Sequence, residues 1–164
     1  MKIKVLILIA ILSTAAVSGA HGFGIGAQFN FSAGSIFAPG AALLISPSDK
    51  TNLAVNWFIN KDAESIIGFT FDAVPLSLPF VKGDVASFKF NLGAGLYVNT
   101  LLGDEFNINC GLRIPVGFSL FLGKEVFEIF THIAPSFGVD FLPSFSLTKP
   151  FYPMAVGARI WFFR

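Results

Sequence analysis

The clearest signal along the chain is a hydrophobic period of two. From Ala86 onward, Phe88, Phe90, Leu92, Ala94, Leu96 and Val98 alternate with Ser87, Lys89, Asn91, Gly93, Gly95, Tyr97 and Asn99. Successive side chains of an extended strand point to opposite faces, so this segment predicts a long strand with one apolar face. After the turn formers Gly103-Asp104-Glu105 the pattern resumes. Phe106, Ile108, Cys110, Leu112, Ile114, Val116, Phe118 and Leu120 alternate with Asn107, Asn109, Gly111, Arg113, Pro115, Gly117 and Ser119, which predicts a hairpin.

The same alternation recurs at Phe23–Phe31, Leu53–Ile59, around Phe69 and Phe71, at Phe127–Phe141, and at Val156, Ala158, Ile160 and Phe162. A nearly all-apolar segment, Ala41–Ile45, brings the count to eight strands. The charges and turn formers collect between them, at 46–50, 60–64, 82–84 and 123–125. Beyond the first residues no helix is predicted.

Met1–Ala20 reads as a cleaved signal peptide. Lys2 and Lys4 precede the apolar run Val5–Leu12, which is too short to span a bilayer, and Ser18-Gly19-Ala20 is a small-residue cleavage site. The organisation expected is therefore a leader at 1–20 and one domain at 21–164. Losing Lys2 and Lys4 takes the formal charge from +1 to −1, and no basic face points to nucleic acid.

Composition then decides the polarity of the fold. Hydrophobic residues make up 54% of the 164, and Phe alone numbers 21. Past the leader, no stretch approaches the roughly 18 uninterrupted apolar residues of a membrane helix. In a soluble barrel the Phe-rich face would point inward, and the other face would carry many Lys and Glu. Here the other face is mostly Gly, Ala, Ser and Asn, which suits the confined lumen of an eight-stranded barrel. The apolar face suits lipid, where a closed barrel satisfies every strand's hydrogen bonds. The fold predicted is an eight-stranded antiparallel up-and-down transmembrane β-barrel in a bacterial outer membrane. With both termini on the periplasmic side, Phe23, Phe71, Phe88, Phe90, Phe118, Phe127 and Phe162 fall near the periplasmic end as an aromatic girdle.

Three runs resemble the last three strands of small eight-stranded outer-membrane barrels of spirochaetes and related bacteria. They are Gly111-Leu112-Arg113-Ile114-Pro115-Val116-Gly117, Phe127-Glu128-Ile129-Phe130-Thr131-His132-Ile133-Ala134-Pro135 and Ala155-Val156-Gly157-Ala158-Arg159-Ile160-Trp161-Phe162. Asp72, closing the fourth strand, also resembles that pattern. The resemblance implies a barrel and assigns no activity. The chain ends on Phe163-Arg164, close to the aromatic-terminated insertion signal of such barrels.

By parity, Asp72, Lys89, Arg113, Glu128, His132, Asp140 and Arg159 face the lumen, as a charge network that is either structural or pore-lining. Pairing the hairpins about their predicted turns sets Lys89 and Glu128 on either side of Gly117, predicting an ion pair across it. The same register sets Arg113 opposite His132, with Arg159 one strand further.

Catalytic chemistry is poorly supported. A lipid-modifying hydrolase needs a nucleophile, a base and an orienting acid facing lipid, whereas His132 faces inward, Ser136 lies four residues on, and His21 sits at the mature terminus. Two distant His and the lone Cys110 make no metal cluster, so no cofactor is expected. The function expected is a non-enzymatic anchor or surface-binding barrel. A narrow pore for small solutes is the alternative, and a lipid-modifying enzyme the second alternative. Expected partners are outer-membrane lipid, the barrel-insertion machinery and a surface ligand or host protein. The outer connections, near 35–39, 61–64, 103–105 and 143–150, are short. The apolar stretch Val74–Asp84, with Pro75 and Pro79, falls on the periplasmic side by strand count; it is expected either to extend two strands below the membrane or to mark a miscounted strand.

Overall fold

The computed structural model describes residues 22–33, 39–59, 65–83, 85–102, 107–142 and 144–162. The expected leader, His21, the loops at 35–38, 61–64 and 103–105, and the terminal Phe163-Arg164 lie outside the described residues.

Among the described residues, eleven strand segments form one antiparallel sheet: β1 (Phe23–Ala33), β2 (Gly40–Ser48), β3 (Thr51–Ile59), β4 (Ser65–Lys82), β5 (Ala86–Leu102), β6 (Asn107–Arg113), β7 (Val116–Leu122), β8 (Phe127–Ile133), β9 (Ser136–Asp140), β10 (Ser146–Leu147) and β11 (Tyr152–Phe162). They amount to eight strands of a closed barrel, because β6 and β7, β8 and β9, and β10 and β11 are successive halves of the sixth, seventh and eighth. Closure comes from β1 pairing β11, with Phe23 opposite Phe162 and Ala33 opposite Tyr152, and from β5 pairing both β6 and β7.

The breaks in the sixth and seventh strands fall at Pro115 and Pro135. Proline has no N–H to give the ladder, yet the carbonyls still serve it. Gly93 N donates to Pro115 O at 2.8 Å, Ile114 N to Pro135 O at 3.0 Å, and Ala134 N to Pro153 O at 2.8 Å. The wall thus continues through a diagonal row of prolines.

Polarity is inside-out. Phe29 is 69% exposed, Leu43 70% and Phe69 57%, while Glu128 is 3% and Arg113 6% exposed. Burial alternates along β4 as far as Val74, along β5 from Gly93 to Asn99, and along β8 and β11, with the parity expected from the sequence. At about 3.3 Å per residue and a 40° tilt, an 11-residue strand such as β1 rises roughly 28 Å, near the apolar height of an outer-membrane barrel.

Val74–Lys82 is the extension of the fourth strand against the fifth, and no strand is miscounted. It continues β4 below the β2–β3 turn, paired with β5 from Leu76 opposite Leu92 to Lys82 opposite Ser87. The ladder shifts register between Ala73 and Leu76 and again between Pro79 and Val81, so Pro75 and Pro79 sit at bulges. Bulges are among the few places a sheet tolerates proline. The outer face of this extension stays apolar, with Leu76, Leu78, Phe80 and Val81 all exposed.

The lower rim carries an aromatic cluster. Phe88 stacks on Phe118 at 5.4 Å, Phe90 meets Phe118 edge-on at 5.6 Å, and Phe80 lies 6.2–6.3 Å from all three. Phe23 and Phe162 pair nearby at 6.4 Å. Phe71 differs in level: it lies opposite Leu53 and Leu96, well up the wall. Phe80, on the extension of β4, takes its place.

Candidate functional site

The interior is ordered in tiers. At the lower mouth Lys89 Nζ meets Glu125 Oε1 at 2.6 Å and lies 4.3 Å over the Phe121 ring. Glu125 stands in the turn Gly123–Val126, where Gly123, Lys124 and Glu125 all have positive φ, and also accepts from Ser87 Oγ at 2.9 Å.

The next tier centres on Glu128, which is enclosed by donors. Arg159 Nε lies 3.3 Å from Oε2, Trp161 Nε1 donates to Oε2 at 2.7 Å, and Ser119 Oγ donates to Oε1 at 2.6 Å. Arg159 also donates to Ser46 and Asn52 and lies over the Phe130 and Trp161 rings. The register explains the grouping, since Arg159 is directly opposite Glu128 on the neighbouring strand.

Above it, Arg113 Nε lies 3.2 Å from Asp72 Oδ1, and Arg113 Nη2 is 3.2 Å from His132 Nε2. His132 stacks on Phe130 at 6.0 Å. Gly95 makes room for Asp72: a Cβ there would come within 2.1 Å of Asp72 Oδ1.

The expected pair of Lys89 with Glu128 does not form. Lys89 is opposite Ser119, not Gly117, while Gly117 is opposite Asn91 and His132, and Glu128 is opposite Phe121. The turn after β7 joins Leu122 to Phe127, which carries Glu128 four residues below the predicted level. Arg113 likewise stands opposite Ser136, and it reaches His132 only through its long side chain. Asp140 lies apart from the other charges, at the upper rim. It accepts from Asn109 at 2.8 Å, Thr148 at 3.3 Å and Ser146 at 3.5 Å.

Parity also places large side chains inside: Tyr97, on the face opposite Phe88–Val98, and with it Phe58, Phe121, Phe130 and Trp161 are all buried. Small residues opposite make their space. A Cβ on Gly157 would lie 2.4 Å from Phe130 Cζ, and one on Gly138 2.5 Å from the Tyr97 hydroxyl.

A larger and a smaller cavity lie between these side chains. The larger, about 600 Å³, runs from the lower mouth at Asp49, Lys50, Lys82 and Glu125 up to Arg113 and His132. A second, about 30 Å³, lies between that tier and Phe151, lined by Asn30, Asn56, Asn99 and Tyr97; Thr70, Arg113 and His132 border both. Over it, Phe58, Ile66, Tyr97 and Phe151 form an apolar cluster. Among the described residues no group of three metal-binding side chains occurs, and His132 faces a guanidinium rather than a serine.

The described residues therefore define an inside-out, closed eight-stranded barrel with ionic tiers inside. No protein-family model matches the chain, and no curated protein matches it. Among solved structures, the N-terminal β-barrel domain of OprF from Pseudomonas aeruginosa is similar over 88% of this chain and 100% of its own, with a TM-score of 0.47 and 14% identity. That likeness reaches no further than the barrel architecture.

Proposed function

We propose that this chain is an integral barrel of a bacterial outer membrane, of the small-barrel kind its last three strands resemble, that acts as a lipid-embedded anchor and is closed to solutes in this conformation. The observation that carries the reading is the contrast between an apolar exterior and an occluded interior. Exposed Phe, Leu, Ile and Val encircle the wall, and water cannot solvate such a surface at reasonable cost. Inside, the 600 Å³ chamber ends beneath the Arg113 tier, and only a void of about 30 Å³ separates that tier from the Phe151 cluster. That void holds about one water.

The lower end, with its tight turns at Asp49–Lys50 and Gly123–Val126, faces the periplasm, as such barrels keep their short turns there. Lipid contacts the wall, and the insertion machinery places it. A surface partner would meet the opposite end.

The test is refolding of residues 21–164 into detergent and then planar bilayers. A folded barrel resists SDS until boiled, so its gel mobility changes on heating, and its bilayers stay silent. Solubility in plain buffer with mobility unchanged by boiling would overturn the membrane assignment; steady conductance would overturn the closed-anchor reading.

A further inference from the structure

The lower chamber has the build of a binding site. Its volume of about 600 Å³ lies within the range of small-molecule pockets, which are mostly apolar with a few convergent polar groups. The middle of its wall is apolar. Leu44, Ala54 and Phe130 belong to one buried cluster, and Val74 and Phe121 also face the chamber.

The inner end holds donors with capacity left over. Arg113 is 6% exposed. Its Nε lies 3.2 Å from Asp72 Oδ1, yet neither atom has a hydrogen-bond partner, so Asp72 supplies charge without an aligned fork. Arg113 Nη2 lies 3.2 Å from His132 Nε2. A guanidinium only donates, so Nε2 is the acceptor and the imidazole proton sits on Nδ1. Arg113 Nη1 and His132 Nδ1–H therefore remain to donate, and the Thr70 hydroxyl stands beside them on the chamber wall.

Charge favours an anion. Among the described residues that line the chamber, five are cationic and four acidic, with Lys50, Lys82 and Lys89 toward the mouth. Such a bias draws anions into a cleft. With Asp72 beside the guanidinium, a monoanion fits better than a phosphate dianion, which the carboxylate repels.

We propose that the chamber binds small organic carboxylates that carry a compact apolar body. The carboxylate meets Arg113 and His132, and the body lies along Leu44, Ala54 and Phe130. The proposal rests on the closed-lumen reading, because a chamber with an inner end retains what a through-path would pass.

Fluorine NMR of para-fluorobenzoate with refolded 21–164 in detergent tests it, with the heat-dependent gel shift as the control for folding and empty micelles as the blank. The native barrel should broaden the signal saturably, and unlabelled benzoate should reverse the effect. Neutral para-fluorobenzamide should show no saturable broadening. Arg113→Met with Asp72→Asn removes the donor and its counter-charge together, so no orphan charge remains, and should weaken binding by about tenfold or more. Ser77→Trp, at an exposed position of the mouth, should also weaken it by obstructing entry. Should the double variant lose its gel shift, Ser77→Trp and the amide carry the test. A folded native chain without saturable binding, or one that binds the amide equally, overturns the proposal; so do folded variants that bind like the native chain. Silent bilayers alongside any of these results leave the anchor reading standing, whereas steady conductance overturns the closed-lumen reading itself.

Discussion

Glu128 is the interior group whose removal the structure makes most costly. Its carboxylate takes contacts from Arg159, Trp161 and Ser119, and it is 3% exposed beside an Arg159 that is 6% exposed. Glu128→Leu leaves that guanidinium buried without its counter-charge, which costs about 3–5 kcal/mol, and two orphaned neutral donors add to the loss. The Lys89–Glu125 pair is a contrast. Its side chains retain 16% and 33% of their exposure, so water screens it and Lys89→Met should cost about 1 kcal/mol or less. Urea unfolding of the detergent-folded barrel, followed by the heat-dependent gel shift, measures each variant. In double-mutant cycles, Glu128→Leu with Arg159→Met should show coupling of about 2 kcal/mol or more, because no orphan charge remains in the double variant. Glu128→Leu with Lys89→Met should be additive within about 0.5 kcal/mol. Strong coupling of Glu128 to Lys89, with none to Arg159, would refute the register of β7 and β8 described above.

Three further outcomes follow from the geometry. Leu112→Arg, on the lipid face of β6 and 49% exposed there, should cost about 2–4 kcal/mol in bilayer refolding, whereas Ser77→Arg at the chamber mouth should cost well under that; equal costs would contradict the inside-out parity. Gly157→Ala sets a methyl 2.4 Å from Phe130 Cζ and 2.6 Å from the Ala27 carbonyl, so it should destabilise by about 1–3 kcal/mol through overpacking, and an unchanged urea midpoint would count against the inward placement of Phe130. Lys124→Gly should stabilise by up to about 1 kcal/mol, since Lys124 has φ +57°, where a side chain is strained and glycine is not; a loss of stability would argue against that turn.

Much of the barrel is legible in the chain because strand parity is a local property. Alternation along Phe88–Asn99 and Phe127–Asp140 determines which side chains face lipid and which face the lumen, and it needs no knowledge of neighbouring strands. Strand number and an apolar exterior follow from counting such segments and asking which face water would tolerate. Parity also puts Phe121, Phe130 and Trp161 inside. A lumen face that is mostly small residues still takes such rings, because glycines such as Gly157 make local room for them.

Which charges meet depends instead on register, and register is set by turns and bulges. The Gly123–Val126 turn, with three successive positive φ angles, shifts β8 against β7 enough to give Glu128 to Arg159 and Lys89 to Glu125. Val74–Lys82 stays a strand because its two prolines coincide with bulges, a match invisible until β4 lies against β5. The same holds for Phe151. Nothing along Lys149-Pro150-Phe151 marks an inward ring; its place is decided by Tyr97, Phe58 and Ile66, which come from three other strands and meet only when the sheet closes.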